Sequence, residues 1–285
     1  MIRLAALAPL LALGACSGAM QQHPASPTIA PGAQYVAMGS SFAAGAGIGA
    51  IKPGTPERCG RTVNNYASLL ADALGLKLDD QSCGGATTAH LLRAWDELPA
   101  QLDAITADTQ LVTITVGGND LDYMGLLFTA SCDPATGRLF QGQRVACQPN
   151  APTMPSEADY AELEAKLVTV ASMIGEAAPE AQVVFVQYVS LVPEILCDAT
   201  PLDDIEAANA RQLAARLAEL TTSVATQMGA LVISADKLSA SHTSCDPAPW
   251  SRGFPASESE PGAPWHPTAL AHAQIARHLT AMLTR

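Results

Sequence analysis

Short apolar runs that end in glycine, separated by helix-length amphipathic stretches, constrain the fold of this chain more than any other feature. Gln34-Tyr35-Val36-Ala37-Met38 stops at Gly39, and Leu111-Val112-Thr113-Ile114-Thr115-Val116 stops at Gly117-Gly118. Neither run alternates with polar residues, so both read as strands covered on two faces, as in a parallel sheet. Gln182 to Gln187 and Leu231-Val232-Ile233 repeat the pattern, and Leu76 to Asp80 is a further candidate strand. Helical periodicity fills the intervals at about Val63 to Leu74, Tyr160 to Ala177, Ile205 to Met228 and Thr268 to Leu283, with Asn, Asp, Pro or Thr near the starts. Strands that alternate with helices require right-handed crossovers and a three-layer α/β/α sandwich. In such sheets ligands gather beyond the carboxyl ends of the strands.

With 285 residues, 48% of them hydrophobic, the chain suits one α/β domain with a sizeable core. No internal repeat is visible, and the stretch from Ser131 to Pro155 reads as a surface excursion that carries two cysteines. The first residues, Met1-Ile2-Arg3 followed by an apolar stretch to Leu13, are too short to span a bilayer and read as an export signal. Leu13-Gly14-Ala15-Cys16 resembles a bacterial lipobox, after which Cys16 would carry the lipid. The expected division is therefore a signal peptide over 1–15, a tether over 16–33, uncharged and rich in Pro, Ala, Ser and Gln, and a domain over 34–285. That export route predicts a protein anchored to the cell envelope, at the outer membrane, the cell surface or in the periplasm.

Six further cysteines, Cys59, Cys83, Cys132, Cys147, Cys197 and Cys245, are an even set in an exported chain and read as three disulfides. Sequence alone permits fifteen pairings; the sequential one, which closes local loops, is the expectation. Zinc-ligand spacing is absent from the set, and no metal or organic cofactor is implied. A formal net charge of -12 repels phosphate backbones, which disfavours nucleic acid as a partner and leaves neutral molecules as substrates. A monomer that meets a membrane only through its anchor is expected.

Small polar residues follow the strand candidates, where a plain turn would suffice. Gly39-Ser40-Ser41-Phe42 presents hydroxyls at a sharp turn, and a serine there becomes a nucleophile when a base takes its proton. Ser82-Cys83-Gly84-Gly85-Ala86-Thr87-Thr88 offers a backbone N–H at a helix start, where negative charge is favoured. Gly117-Gly118-Asn119-Asp120 brings a carboxamide donor to the mouth of the same cleft, although Asn119 could equally cap a helix. Among six histidines, His23 lies in the tether and His272 and His278 in the last helix, leaving His90, His242 and His266 as candidate bases.

Taken in this order, the serine turn, the glycine, the Gly-Gly-Asn-Asp segment and Trp265-His266-Pro267 resemble the SGNH, or GDSL-like, hydrolases from Tyr35 to Pro267. The six cysteines make the chain most similar to the disulfide-containing actinobacterial lipases and esterases. The resemblance implies five parallel strands in flavodoxin-like order and sequential disulfides. It implies Ser41, not Ser40, as the nucleophile, His266 as the general base, and an oxyanion hole from the Ser41 and Gly85 N–H groups and the Asn119 side chain.

Two positions depart from the family pattern. Ser40 replaces the usual aspartate of the serine block, and Ala263 stands where the acid of the triad normally precedes the histidine. Some members of that branch orient the imidazole with a main-chain carbonyl, and the Ala263 carbonyl is the expected counterpart, with Asp246, Glu258 and Glu260 as reserve acids. The implied activity is hydrolysis of neutral acyl esters through an acyl-enzyme. An acyltransferase or carbohydrate deacetylase on the same site, and a silent envelope-binding lipoprotein, are the alternatives.

Overall fold

The computed structural model of the chain describes residues 28–140, 143–147, 153–254 and 261–284. Its centre is a five-stranded sheet in the order β2-β1-β3-β6-β7, formed by β1 (Gln34–Gly39), β2 (Lys77–Asp80), β3 (Thr109–Thr115), β6 (Gln182–Val186) and β7 (Leu231–Ile233), with every pairing parallel. This is the flavodoxin-like order expected. β1 is buried from Tyr35 to Gly39 and β3 everywhere but Gln110, which explains runs without polar alternation. β2 lies at the edge and exposes Lys77 and Asp79, so its sequence carries the weakest pattern.

One helical layer holds α2 (Tyr66–Leu74) packed on α8 (Ala269–Leu283), and the other holds α3 (Thr88–Leu92), α5 (Glu157–Ala177) and α6 (Asp204–Met228). Side-chain caps decide where the long helices begin. Asn65 accepts from the Ser68 N–H, Thr268 from that of Ala271, and Ser156 and Asp203 form capping boxes with Asp159 and Glu206. The α5 cap places its start three residues before the expected Tyr160. Helix α4 (Tyr123–Ala130) was not foreseen: Tyr-Met-Gly-Leu-Leu-Phe-Thr-Ala is apolar nearly all round and shows no polar face. Short helices α1 (Ser41–Ala44) and α7 (Ala235–Leu238) follow β1 and β7, and strands β4 (Arg138–Phe140) and β5 (Gln143–Val145) form an antiparallel ribbon in the excursion after α4.

Three disulfides join Cys59 to Cys83, Cys132 to Cys147 and Cys197 to Cys245, the sequential pairing. The core reaches further back than Gln34. Ile29 and Ala33 are buried in it and the Gly32 N–H donates to the Gly75 carbonyl, so the last residues assigned to the tether pack onto the domain. Ile29 is an apolar side chain within reach of a core, and composition averaged over the tether concealed it. The expected export signal, Cys16, His23, Glu258 and Glu260 lie outside the described residues.

Candidate active site

The site is built at the carboxyl ends of β1 and β3, with a contribution from β6. Gly39 closes β1 with φ +140, and a Cβ there would stand 2.2 Å from the Thr115 carbonyl oxygen, so only glycine lets the chain turn this close to β3. The buried side chain of Gln101 accepts from the Gly39 N–H (2.7 Å) and donates to its carbonyl (3.1 Å), fixing the turn from the side that no strand covers. Ser41 then opens α1. As a first-turn donor its N–H has no acceptor within the helix.

His266 is buried beside it. Its Nε2 lies 2.8 Å from Ser41 Oγ and its Nδ1 lies 2.7 Å from the Pro264 carbonyl oxygen. A carbonyl can only accept, so Nδ1 carries the proton and Nε2 is left to accept from the serine hydroxyl. Burial lowers the histidine pKa below its ordinary 6.5, and the bond to Pro264 opposes that shift. The carbonyl differs from the expected one: the Ala263 N–H donates to the Ala46 carbonyl at 3.0 Å, and it is Pro264 that faces the ring. Between the two, Trp265 adopts φ +56, and the carbonyl two residues before the histidine meets its own imidazole.

The other candidate bases are engaged elsewhere. His90 Nδ1 accepts from the Thr87 N–H and its ring stacks on Trp95, whereas His242 bonds the Ala248 carbonyl and stacks on Trp250. Asp246 accepts from the backbone and hydroxyl of Thr243 and serves a local turn.

Gly85 is exposed in the loop between β2 and α3, with φ +80. Around it the N–H groups of Cys83, Gly84 and Ala86 are taken by the carbonyls of Gly39, Cys59 and Cys83, a set of bonds in which the Gly85 N–H has no part. The Cys59–Cys83 bridge and Ala86 form a small separate core under this loop, with Trp95 and Leu98 packed against it. Asn119 donates one Nδ2 hydrogen to the Ala86 carbonyl (2.9 Å). The Asp120 carboxylate accepts from the backbone and hydroxyl of Thr88 and thereby pins the start of α3.

Tyr188, just beyond β6, bridges the serine turn, where Ser40 stands in place of the family's usual aspartate, to a second loop. Its hydroxyl accepts from the Gly118 N–H (3.0 Å) and exchanges a hydrogen bond with Ser40 Oγ (3.2 Å), joining the serine turn to the Gly-Gly-Asn-Asp segment. Burial pushes its phenol up to about 12, so it stays protonated. Its ring packs on Phe42 (centroids 4.3 Å), which in turn lies 4.9 Å from the His266 ring. Sequence reasoning missed Tyr188, Gln101 and Pro264; for Tyr188 the signal was its place directly after a strand of the sheet. Among the described residues no group of three or more His, Cys, Asp or Glu is placed to hold a metal ion.

A parallel α/β/α sandwich with a buried serine and histidine in hydrogen-bond contact at its carboxyl edge defines the architecture of a hydrolase. The sequence of the GDSL-like Lipase/Acylhydrolase family matches residues 37–274, and the chain belongs to that family. It is a carboxylic ester hydrolase of the lipase and esterase type. Lipase 2 of Streptomyces coelicolor is 31% identical over 94% of this chain and 91% of its own length, and a lipase of Streptomyces rimosus is 29% identical over 92% and 89%. Among solved structures, an extracellular lipase from Streptomyces rimosus is 25% identical with a TM-score of 0.64, covering 88% of this chain and 98% of its own. Phospholipase A1 from Streptomyces albidoflavus shares the fold at 23% identity, with a TM-score of 0.69 over 88% of this chain and 99% of its own.

Proposed function

We propose that the protein hydrolyses neutral carboxylic acyl esters by acyl transfer through Ser41, with His266 as general base and then general acid. The observation that carries this reading is the Ser41 Oγ to His266 Nε2 contact at 2.8 Å, with Nδ1 already committed to a carbonyl. Ser41 Oγ attacks the ester carbonyl while Nε2 takes its proton. The histidine returns that proton to the leaving alcohol, and water, activated by the same nitrogen, releases the acid. Negative charge on the carbonyl oxygen is met by the N–H groups of Ser41 and Gly85 and the free hydrogen of Asn119 Nδ2, each donor typically worth about 2.7–4 kcal/mol in the transition state.

Pro264 supplies a dipole where a triad acid supplies a full charge. It fixes tautomer and direction but stabilises the imidazolium less. A chain of net charge -12 favours uncharged esters over anionic ones. Three disulfides and the extracellular relative support export, and the Leu13-Gly14-Ala15-Cys16 sequence supports acylation at Cys16. A Cys16→Ser variant that stays in the membrane fraction as wild type does would refute the anchor.

A short p-nitrophenyl ester and a fluorophosphonate probe test the mechanism. Wild type hydrolyses the ester and takes up the probe on Ser41, whereas Ser41→Ala and His266→Ala lose turnover. Labelling of Ser41→Ala, or an inert wild type, overturns the assignment.

A further inference from the structure

His266 is oriented by a main-chain atom, so whatever holds that main chain orients the histidine. The flanks of the loop are tied down: the Arg252 N–H donates to the His266 carbonyl (2.8 Å), the Thr268 N–H to that of Trp250 (2.9 Å) and the Ala263 N–H to that of Ala46 (3.0 Å). Between them the turn depends on Trp265, a bulky residue at φ +56, in a region that side chains other than those of Gly, Asn and Asp seldom enter. Such a conformation persists only where the surroundings over-determine it.

What over-determines it lies 134 residues earlier in the chain. Trp265 is completely buried, and its Nε1–H donates to Ser131 Oγ at 2.9 Å. The Ser131 hydroxyl proton is committed to the Leu127 carbonyl (2.7 Å), which leaves the oxygen lone pair facing the indole. Ser131 directly follows α4 and precedes Cys132, whose disulfide to Cys147 closes the excursion.

We propose that Trp265 and Ser131 are a positioning pair for His266: the indole, tied to the end of α4, holds the left-handed turn that brings the Pro264 carbonyl onto Nδ1 and aims Nε2 at Ser41. The proposal rests on the reading of His266 as the base. With a carbonyl in place of a charged acid, ring direction depends on backbone geometry, and a displacement of about 1 Å at a reacting group can cost a hundredfold in rate. Both residues are buried, so the pair would act through the histidine.

The test uses the whole chain, a short p-nitrophenyl ester, and the downfield proton resonance of the His266 Nδ1–H. Trp265→Phe keeps the ring and removes the donor; Ser131→Ala removes the acceptor; Ser131→Thr retains the hydroxyl. Both disabling variants are expected to lower kcat by about tenfold or more, with KM within about twofold, and to move the Nδ1–H resonance upfield, while Ser131→Thr restores both. A pair that merely fills the core would shift the melting temperature and leave kcat per probe-titrated site and the resonance unchanged; that result, or failure of Ser131→Thr to rescue, overturns the proposal. Should Trp265→Phe fail to fold, the single-atom deletion Ser131→Ala decides. An inert wild type would refute His266 as base, and the resonance would still report on the pair.

Discussion

Lowering the pH from neutrality should unfold this protein largely by way of His272. The residue sits in α8 with no exposed surface; its Nδ1 accepts from the Tyr66 N–H at 3.0 Å, its ring stacks on Tyr66 and its Nε2 has no partner. Burial, reinforced by the neighbouring His266 and opposed by Asp80, lowers its pKa from 6.5 to about 3. A base whose pKa is lower in the folded state binds more protons when unfolded. Stability is therefore complete above the unfolded value of 6.5 and is lost as pH falls toward 3. Each unit corresponds to about 1.36 kcal/mol, so His272 alone removes roughly 2.7 kcal/mol by pH 4.5 and roughly 4.4 kcal/mol by pH 3, where the folded-state group is half protonated. Against a total of about 5–15 kcal/mol, this is a large fraction of the stability of an ordinary domain.

The assay is urea unfolding at half-unit steps from pH 7.5 to 5, above the range where ordinary carboxylates titrate. His272→Asn can keep an acceptor for the Tyr66 N–H while removing the titration. Its unfolding free energy should fall with pH by about one proton's slope less than wild type, whatever its stability at pH 7.5. Some slope remains, because burial also lowers the His266 and His90 pKa values. Equal slopes for the two proteins would refute the assignment of His272 as the buried neutral group.

Ester hydrolysis should outlast the loss of stability at its onset. The depressed pKa of His266 keeps the base neutral, so the acid limb of kcat/KM lies below 6.5, and a midpoint at or above that value would contradict the burial argument. Asn119→Ala should reduce kcat by about 10²–10³ with little change in KM, and a loss under tenfold would remove its side chain from the oxyanion hole. Tyr188→Phe leaves the buried Gly118 N–H without its acceptor and should lower stability by about 1–3 kcal/mol in urea titration; an unchanged midpoint would show that the bridge to Ser40 and Gly118 is dispensable. Gly39→Ala, with its Cβ forced to 2.2 Å from the Thr115 oxygen, should cost more than about 4 kcal/mol, which a wild-type melting temperature would disprove.

Much of the architecture was legible because it follows from short-range pattern. Uninterrupted apolar runs at β1 and β3, the glycines that end them, and the capping residues Asn65, Asp203 and Thr268 each act within a few positions, and the parallel sandwich is what they jointly permit. α4 escaped because an apolar surface all round erases the period on which such reading depends.

The chain by itself also determined which chemical groups are available: Ser41 after a glycine turn, Gly85, Asn119 and His266 in order, and an even set of six cysteines in the domain. Only the tertiary structure decided how those groups meet. Pro264 and not Ala263 faces Nδ1, across a Trp265 at φ +56 whose indole bonds Ser131; Ser40 is joined to Gly118 through Tyr188, 148 residues away. Local preference sets each residue's ordinary conformation. A left-handed tryptophan and a phenol shared by two loops are exceptions to it, stabilised by contacts between segments far apart in sequence, and no spacing in the sequence encodes them.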